Sequence, residues 1–279
     1  MPRVWFITGA ARGIGASLVS QLLAAGELVV ATSRDVAPIV ERHGQCENLL
    51  ALAMDVTDEK AIAAAVDAAQ GQFGRIDVLV NNAGYGHIGI FEETSLQELR
   101  DQFEVNVFGV FAVTKAVAPV MRAQRSGAIV NMSSYAAFVG SFGRGAYNPS
   151  KWVVEGWSQV LADEMATIGV KVVCVSPGFF RTDIWDESSM RYSADAGTIS
   201  EYEQRWNDFK ATHQALNHTQ NGDPEKLAAL IIDVCGMDEP PTSLLAGSET
   251  VDKMLALLQS RAENVRRWEH LTRSTDGDW

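Results

Sequence analysis

Two side chains with complementary chemistry stand one helical turn apart in this sequence, Tyr147 and Lys151. They open a run that continues Trp152-Val153-Val154-Glu155-Gly156-Trp157, and their spacing places both on one helical face. A phenol titrates near pH ~10 and is by itself a poor proton donor or acceptor at neutrality. An ammonium group alongside favours the phenolate and lowers that value. Ser134 lies shortly before the pair, past the apolar run Ala128-Ile129-Val130. A hydroxyl at a strand end, facing a tyrosine on the next helix, can hold a carbonyl oxygen while the tyrosine protonates it. Tyr-x-x-x-Lys also recurs by chance, so its meaning depends on whether the rest of the chain supplies something to act on.

The elements that must position these groups alternate short apolar runs with helical patterns. Strands are expected at 4–7, 28–32, 49–54, 76–80, 128–132 and 170–175, with helices at 14–25, 36–43, 58–73, 96–124 and 147–168. A seventh strand is expected at 244–247. Strands apolar on both faces, each followed by a helix, predict an α/β fold: a doubly wound parallel sheet of about seven strands in one domain. The first strand-to-helix turn reads Thr8-Gly9-Ala10-Ala11-Arg12-Gly13-Ile14-Gly15. Glycines there allow a tight turn and the close approach of a pyrophosphate, and the next helix offers free N–H groups and the positive end of its dipole.

Composition narrows the setting. The 279 residues are 47% hydrophobic and 21% charged, with a net charge of −12 and a pI near 4.9. No basic patch stands out, which argues against nucleic acid and anionic membrane as partners. Cys46, Cys174 and Cys235 are odd in number, widely spaced and without metal-ligand spacing, so they read as reduced thiols in a cytoplasmic protein with no metal. The N-terminus lacks a signal-peptide pattern, and no apolar run is expected to reach the length of a membrane span.

Taken together, T-G-x-x-x-G-x-G at Thr8–Gly15, N-N-A-G at Asn81–Gly84, Asn106 in V-N-V-F-G, Ser134, Tyr147-x-x-x-Lys151 and Pro177-Gly178 followed by Thr182 resemble the short-chain dehydrogenase/reductase family. The likeness runs in order over roughly residues 3–182. Thr32-Ser33-Arg34 and the P-G-F-F-R-T segment are similar to its 17β-hydroxysteroid-dehydrogenase-like subgroup, whose members take many substrates. The resemblance implies an NAD(P)-dependent oxidoreductase interconverting a ketone or aldehyde and an alcohol by hydride transfer. It implies that Tyr147 is the general acid and base, and that Lys151 lowers its pKa and holds the nicotinamide ribose. Ser134, favoured over Ser133 by its thirteen-residue spacing to Tyr147, would steady the substrate oxygen. Asn106 would hold a helix distortion and a water linking Lys151 to solvent. Asp55 and Val56 would meet the adenine. Thr8, Gly9, Arg12, Gly13, Ile14, Gly15, Asn82, Ala83, Gly84, Pro177, Gly178 and Thr182 would complete the cofactor site with Tyr147 and Lys151.

Charge argues for NADP(H) over NAD(H). An NAD site usually ends the second strand with an acid on the ribose diol. Here Ser33 takes that place, Arg34 follows, and Arg12 lies in the Gly-rich turn, a pair of guanidinium groups suited to a 2′-phosphate. Asp35 is the competing reading, either as the ribose acid in a shifted register or as a helix cap.

The stretch from 179 to 221 is long for a connection and rich in aromatics, and ligands in this fold lie beyond the carboxyl ends of the strands. It reads as a substrate lid, with Tyr85, Phe138, Phe142, Phe179 and Trp185 as candidate lining for a small, fairly apolar carbonyl or alcohol. His87 reads as a loop residue. Residues 250–279 form a C-terminal helical extension, which sets the chain apart from ketoacyl-carrier-protein reductases that end soon after the seventh strand. Val105, Phe108, Val113, Val154 and Trp157 exceed the needs of one sheet-facing stripe and point to a homodimer through the two long helices, a tetramer being the alternative. A non-catalytic dinucleotide-binding sensor is the competing function class.

Overall fold

The computed structural model describes residues 1–182, 189–217 and 219–277. Seven parallel strands form the main sheet: β1 (Val4–Thr8), β2 (Leu28–Ser33), β3 (Leu49–Ala53), β4 (Val78–Asn81), β6 (Gly127–Met132), β7 (Val170–Pro177) and β9 (Ser243–Ala246). Their order is β3-β2-β1-β4-β6-β7-β9, so the direction of winding reverses between β1 and β4. The central strands carry no polar alternation because both faces are covered; all five residues of β1 are buried. On one face, α1 (Gly13–Ala24) and α8 (Pro224–Val234) pack Leu18, Val19, Leu22, Leu227 and Ile231 over the sheet. On the other, α3 (Glu59–Phe73), α5 (Gly109–Gln124) and α6 (Tyr147–Ala166) contribute Ile62, Val66, Val113, Val117, Met121 and Leu161.

Helix ends follow the sequence signals. Asp58 accepts from the N–H groups of Lys60 and Ala61 at the start of α3, and Gly74 ends that helix with φ 74°. Ser95 and Glu98 form a reciprocal capping box on α4 (Leu96–Phe103). The long helix expected over 96–124 is interrupted: Glu104–Phe108 makes a π-helical turn between α4 and α5, with Asn106 inside it. The most apolar 18 residues of the run 96–124 have a mean hydropathy of 1.4, enough to cross a membrane by length and composition only. Its apolar face is the stripe that covers the sheet.

A second, two-stranded parallel sheet was not foreseen. β5 (Gly86–Ile88) pairs with β8 (Met190–Tyr192), placing His87, expected in a loop, in a buried strand opposite Arg191. Beyond β8, α7 (Ser200–Leu216) lays Trp206 and Phe209 against Ile88, Ile90 and Phe142 in a separate apolar cluster. Glu93, almost fully buried, fastens this segment by accepting from the N–H groups of Gly197 (2.8 Å) and Ile199 (2.7 Å). Those donors hold its carboxyl below the usual range against the opposing effect of burial. The last helix, α9 (Ser248–Arg273), buries only Thr250 and Met254.

Candidate active site

The carboxyl ends of the central strands open on one cavity of about 910 Å³. Its floor at the first turn is backbone. A Cβ at Gly9 would lie 2.8 Å from Ala83 Cα, and one at Gly15 would lie 2.4 Å from the Gly9 carbonyl oxygen, so both positions require glycine. The buried Thr8 Oγ1 accepts from the N–H groups of Asn82 and Ala83, each at 3.0 Å, and Asn82 Nδ2 donates to the carbonyls of Thr8 and Gly9. The two turns are thus clamped together. Gly9, Arg12, Gly13, Ile14, Asn82, Ala83 and Gly84 line the cavity, while Thr8 and Gly15, expected as direct contacts, shape the ledge from behind it.

Further along, Ser33, Arg34, Asp35, Asp55 and Val56 line the same space, and Pro177, Gly178 and Thr182 close its other side. Asp35 Oδ1 accepts from Ala37 N–H at 2.9 Å, just before α2 (Ala37–His43), whose N-cap is Val36. Asp55 Oδ1 likewise accepts from Thr57 N–H, at 2.9 Å. A glycine ledge that any side chain would fill, the N-terminus of α1 beside it and polar groups at the β2 end together fit a dinucleotide.

Ser134, Tyr147 and Lys151 line the other end of the cavity. Ser134 hydrogen-bonds Tyr147, and its Oγ accepts from Ala136 N–H at 3.1 Å. Its neighbour Ser133 turns away and donates to the Lys151 carbonyl at 3.1 Å, as strand alternation requires. Lys151 Nζ donates to the Met132 carbonyl at 2.8 Å and lies 6.0 Å from the centre of the Tyr147 ring. Burial pushes the lysine down to about 8, with Cys174 acting the other way. Tyr147 departs from the expectation of a lowered phenol. Burial raises it above its ordinary value, and the opposing influences are the Ser134 hydrogen bond and the Arg144 guanidinium rather than Lys151. At about 8 the lysine is still largely protonated at neutral pH.

Asn106 does not line the cavity. Its side chain binds the backbone of Tyr85 and reaches Ser150 Oγ at 3.3 Å, so it fixes the wall from behind. Of the expected substrate-lining residues, Tyr85 and Phe179 face the cavity. Phe138 and Phe142 do not. Phe142 packs on Phe209 with ring centres 5.9 Å apart, and Phe138 offers its carbonyl to Arg261 on α9. Trp185 lies outside the described residues. Sequence reasoning missed Arg144, Arg191, Tyr135, Val139 and Lys253 on the cavity wall. Arg144 sits three residues before Tyr147 and was legible by proximity; Lys253 arrives from α9, a hundred residues on, with no local signal.

Residues 3–193 match the family described as short chain dehydrogenase. The chain belongs to the short-chain dehydrogenase/reductase family. It is 36% identical to oxidoreductase BOA17 of Botryotinia fuckeliana over 276 residues, 98% of each chain. A short-chain dehydrogenase structure from Streptomyces avermitilis superposes with a TM-score of 0.89 at 35% identity, covering 99% of this chain and 100% of that one. ElxO with NADP bound (TM-score 0.73, 26% identity, 90% and 100% covered) and a Burkholderia phymatum family member in complex with NAD (0.79, 25%, 95% and 94%) are also similar. This short-chain dehydrogenase/reductase is an oxidoreductase acting between CH–OH and C=O with a nicotinamide dinucleotide. Relatives with each cofactor occur, so similarity alone does not choose between NAD and NADP.

Proposed function

We propose that this enzyme uses NADP(H) to interconvert a small, fairly apolar ketone or aldehyde and its alcohol, with Tyr147 as the proton donor and acceptor. The observation that carries the reading is the convergence of Ser134, Tyr147 and Lys151 on the cavity that also holds the glycine ledge. The dinucleotide supplies the hydride. Ser134 holds the substrate oxygen by its hydroxyl, and Tyr147 gives that oxygen its proton on reduction or takes it on oxidation. Lys151 binds the ribose and carries proton exchange away from the phenol. Asn106 keeps Tyr85, and with it the substrate wall, in place. Segment 189–217 acts as a lid, a role supported by its attachment through Glu93 and the apolar cluster under α7. The 17β-hydroxysteroid-dehydrogenase-like affinity rests on the Thr32-Ser33-Arg34 and Pro177–Thr182 motifs and the long C-terminal tail, and a cytoplasmic setting rests on the three free cysteines.

We also propose a homodimer through α5 and α6, with a corrected face. Val113 and Val154 are fully buried and are not available. Phe108, in the turn before α5, and Trp152, Val153 and Val160 on α6 are exposed, and the ring centres of Phe111 and Trp157 lie 4.3 Å apart. The test of function is a panel of ketones, aldehydes and secondary alcohols followed at the nicotinamide absorbance with each cofactor. Turnover supports the enzyme reading. No turnover across the panel with tight dinucleotide binding retained would favour a sensor.

A further inference from the structure

We propose that Arg191, at the base of the lid, is a specificity-determining residue that binds a carboxylate carried by the substrate, so that the substrate is an oxo acid, or the matching hydroxy acid, with an apolar chain between its two functional ends. The inference rests on the reading of this cavity as the place where a carbonyl and an alcohol interconvert. It deepens that reading by naming the substrate's second group.

Charge is distributed unevenly around the cavity. Among the described residues its lining carboxylates are Asp35 and Asp55, both in the part of the wall formed by the ends of β2 and β3. The rest of the charged lining, outside the first turn and the β2 end, is cationic: Arg144, Lys151, Arg191 and Lys253. That bias runs against the composition of a chain with a net charge of −12. The other cations are already engaged. Lys151 belongs to the proton-transfer pair and donates to the Met132 carbonyl, Arg144 bonds His213, and Lys253 pairs with Glu249 one turn back. Arg191 is exposed, and among the described residues no carboxylate forms an ion pair with it.

The guanidinium is nevertheless held in place. Ser189 and Arg191 line the cavity, while Met190 between them packs in the apolar cluster under α7, the alternation that a strand imposes. The partner strand fixes that register. Gly86 pairs with Met190 and donates its N–H to the Ser189 carbonyl at 3.0 Å, and a Cβ on Gly86 would lie 2.6 Å from Met190 Sδ. The guanidinium carbon stands 4.5 Å from the centre of the Tyr85 ring. Tyr85 is itself fixed at its backbone by Asn106 and by Gln102, whose Nε2 donates to its carbonyl at 3.1 Å. A Cβ on the preceding Gly84 would be 3.8 Å from Lys151 Nζ, so the platform for Arg191 adjoins the proton-transfer pair. An arginine stacked on an aromatic ring keeps its N–H fork free to meet a carboxylate through two parallel bonds. Val139 and Phe179 give the same cavity apolar wall, which suits a short carbon chain between carbonyl and carboxylate.

The test compares 4-oxopentanoate, 5-oxohexanoate and 6-oxoheptanoate with their methyl esters. The readouts are kcat/KM with the reduced dinucleotide that the parent prefers and, without turnover, dissociation constants from calorimetry on Tyr147→Phe saturated with that dinucleotide. The parent should favour at least one acid over its ester by about tenfold in both, the low end for a hydrogen bond to a charged group. The preference should shrink at high ionic strength. Arg191→Met should abolish it. Arg191→Lys, which keeps the charge and loses the fork, should retain part of it, and serves alone if circular dichroism shows Arg191→Met unfolded. A parent that takes esters as well as acids, or an acid preference unchanged by substitution of Arg191, overturns the proposal. So does a loss confined to dinucleotide affinity, which would place the guanidinium on a cofactor phosphate. Absence of turnover with every acid and ester would instead overturn the carbonyl–alcohol reading, and the calorimetry would still decide the carboxylate site.

Discussion

Asn106 grips Tyr85 by both polar groups of its backbone. Its Oδ1 accepts from the Tyr85 N–H at 3.1 Å, and its Nδ2 donates to the Tyr85 carbonyl at 3.0 Å. The π-helical turn at Glu104–Phe108 is what turns Asn106 toward the loop after β4, as such single turns often do at functional sites. One side chain thus ties the helix on one sheet face to the loop that carries Asn82, Ala83 and Gly84. Gly84 lies so close that a Cβ there would be 3.2 Å from Asn106 Oδ1 and 3.8 Å from Lys151 Nζ. The dinucleotide ledge and the proton-transfer pair are therefore held by one continuous set of contacts.

Tyr147→Phe removes one oxygen and keeps the ring, so fold and cofactor binding should survive. Loss of a positioned proton donor should lower kcat by ~10²–10⁴-fold. Steady-state kinetics on the best panel substrate checks this, and a variant within a few-fold of the parent would show that another group moves the proton.

The parts of the molecule visible in the sequence are those encoded locally. Strand and helix positions followed from apolar period and caps, and Ser134, Tyr147 and Lys151 from spacing. The β5–β8 sheet escaped because it pairs three-residue strands a hundred residues apart, with no pattern in either that marks it. Phe142 was misplaced because an aromatic ring in a loop near the site packs equally well on a lid helix, as it does on Phe209, whereas Phe138 meets α9 through its carbonyl. Thr8 and Gly15 occupy motif positions, yet a motif does not say which members touch a ligand and which hold the turn. Arg144 was passed over because it belongs to no motif, although it stands three residues before Tyr147.

Lys151 gives a pH-dependent stability whose sign follows from its burial. Its pKa falls from 10.5 unfolded to about 8 folded, so the unfolded chain binds more protons between those values. Stability then rises with pH across that window. Lys151→Met lacks this dependence. Between pH ~7.5 and ~10 the parent should gain about 2 kcal/mol relative to the variant, measured as the difference in urea unfolding free energies of the cofactor-free proteins. An unchanged difference would mean that the lysine is solvated.

The proposed dimer makes a second structural test. Phe108 is 54% exposed and Val160 57% exposed on the helices of the proposed interface. Phe108→Asp and Val160→Glu should each convert the parent from dimer to monomer in light scattering at micromolar concentration, because a buried unpaired charge costs several kcal/mol. A parent that is already monomeric removes the interface, and a dimer indifferent to both substitutions places it elsewhere.

Cofactor choice should be decided at the end of β2. Arg34 is exposed at the edge of the cavity, directly after Ser33, and Arg12 lines it from the α1 turn. A hydrogen bond to a charged group contributes ~1.5–3 kcal/mol, or roughly 10- to 150-fold in affinity for a 2′-phosphate. Exposure and salt screening place Arg34 toward the low end, and the two arginines need not add. Asp35 accepts from Ala37 N–H through Oδ1, which engages one of its two carboxylate oxygens. Ser33→Asp acts in the opposite sense, accepting bonds from a free diol and repelling a phosphate. The expected outcome is a parent that prefers NADPH, a smaller preference in Arg34→Ala, an inverted one in Ser33→Asp, and weakening of the parent's preference at high salt. The measurement is kcat/KM with both cofactors for the three proteins at low and high ionic strength. A parent that prefers NADH, or a ratio unchanged in Arg34→Ala, would move the discriminating contact to Asp35, and Asp35→Ala would then be the variant that lowers NADH affinity.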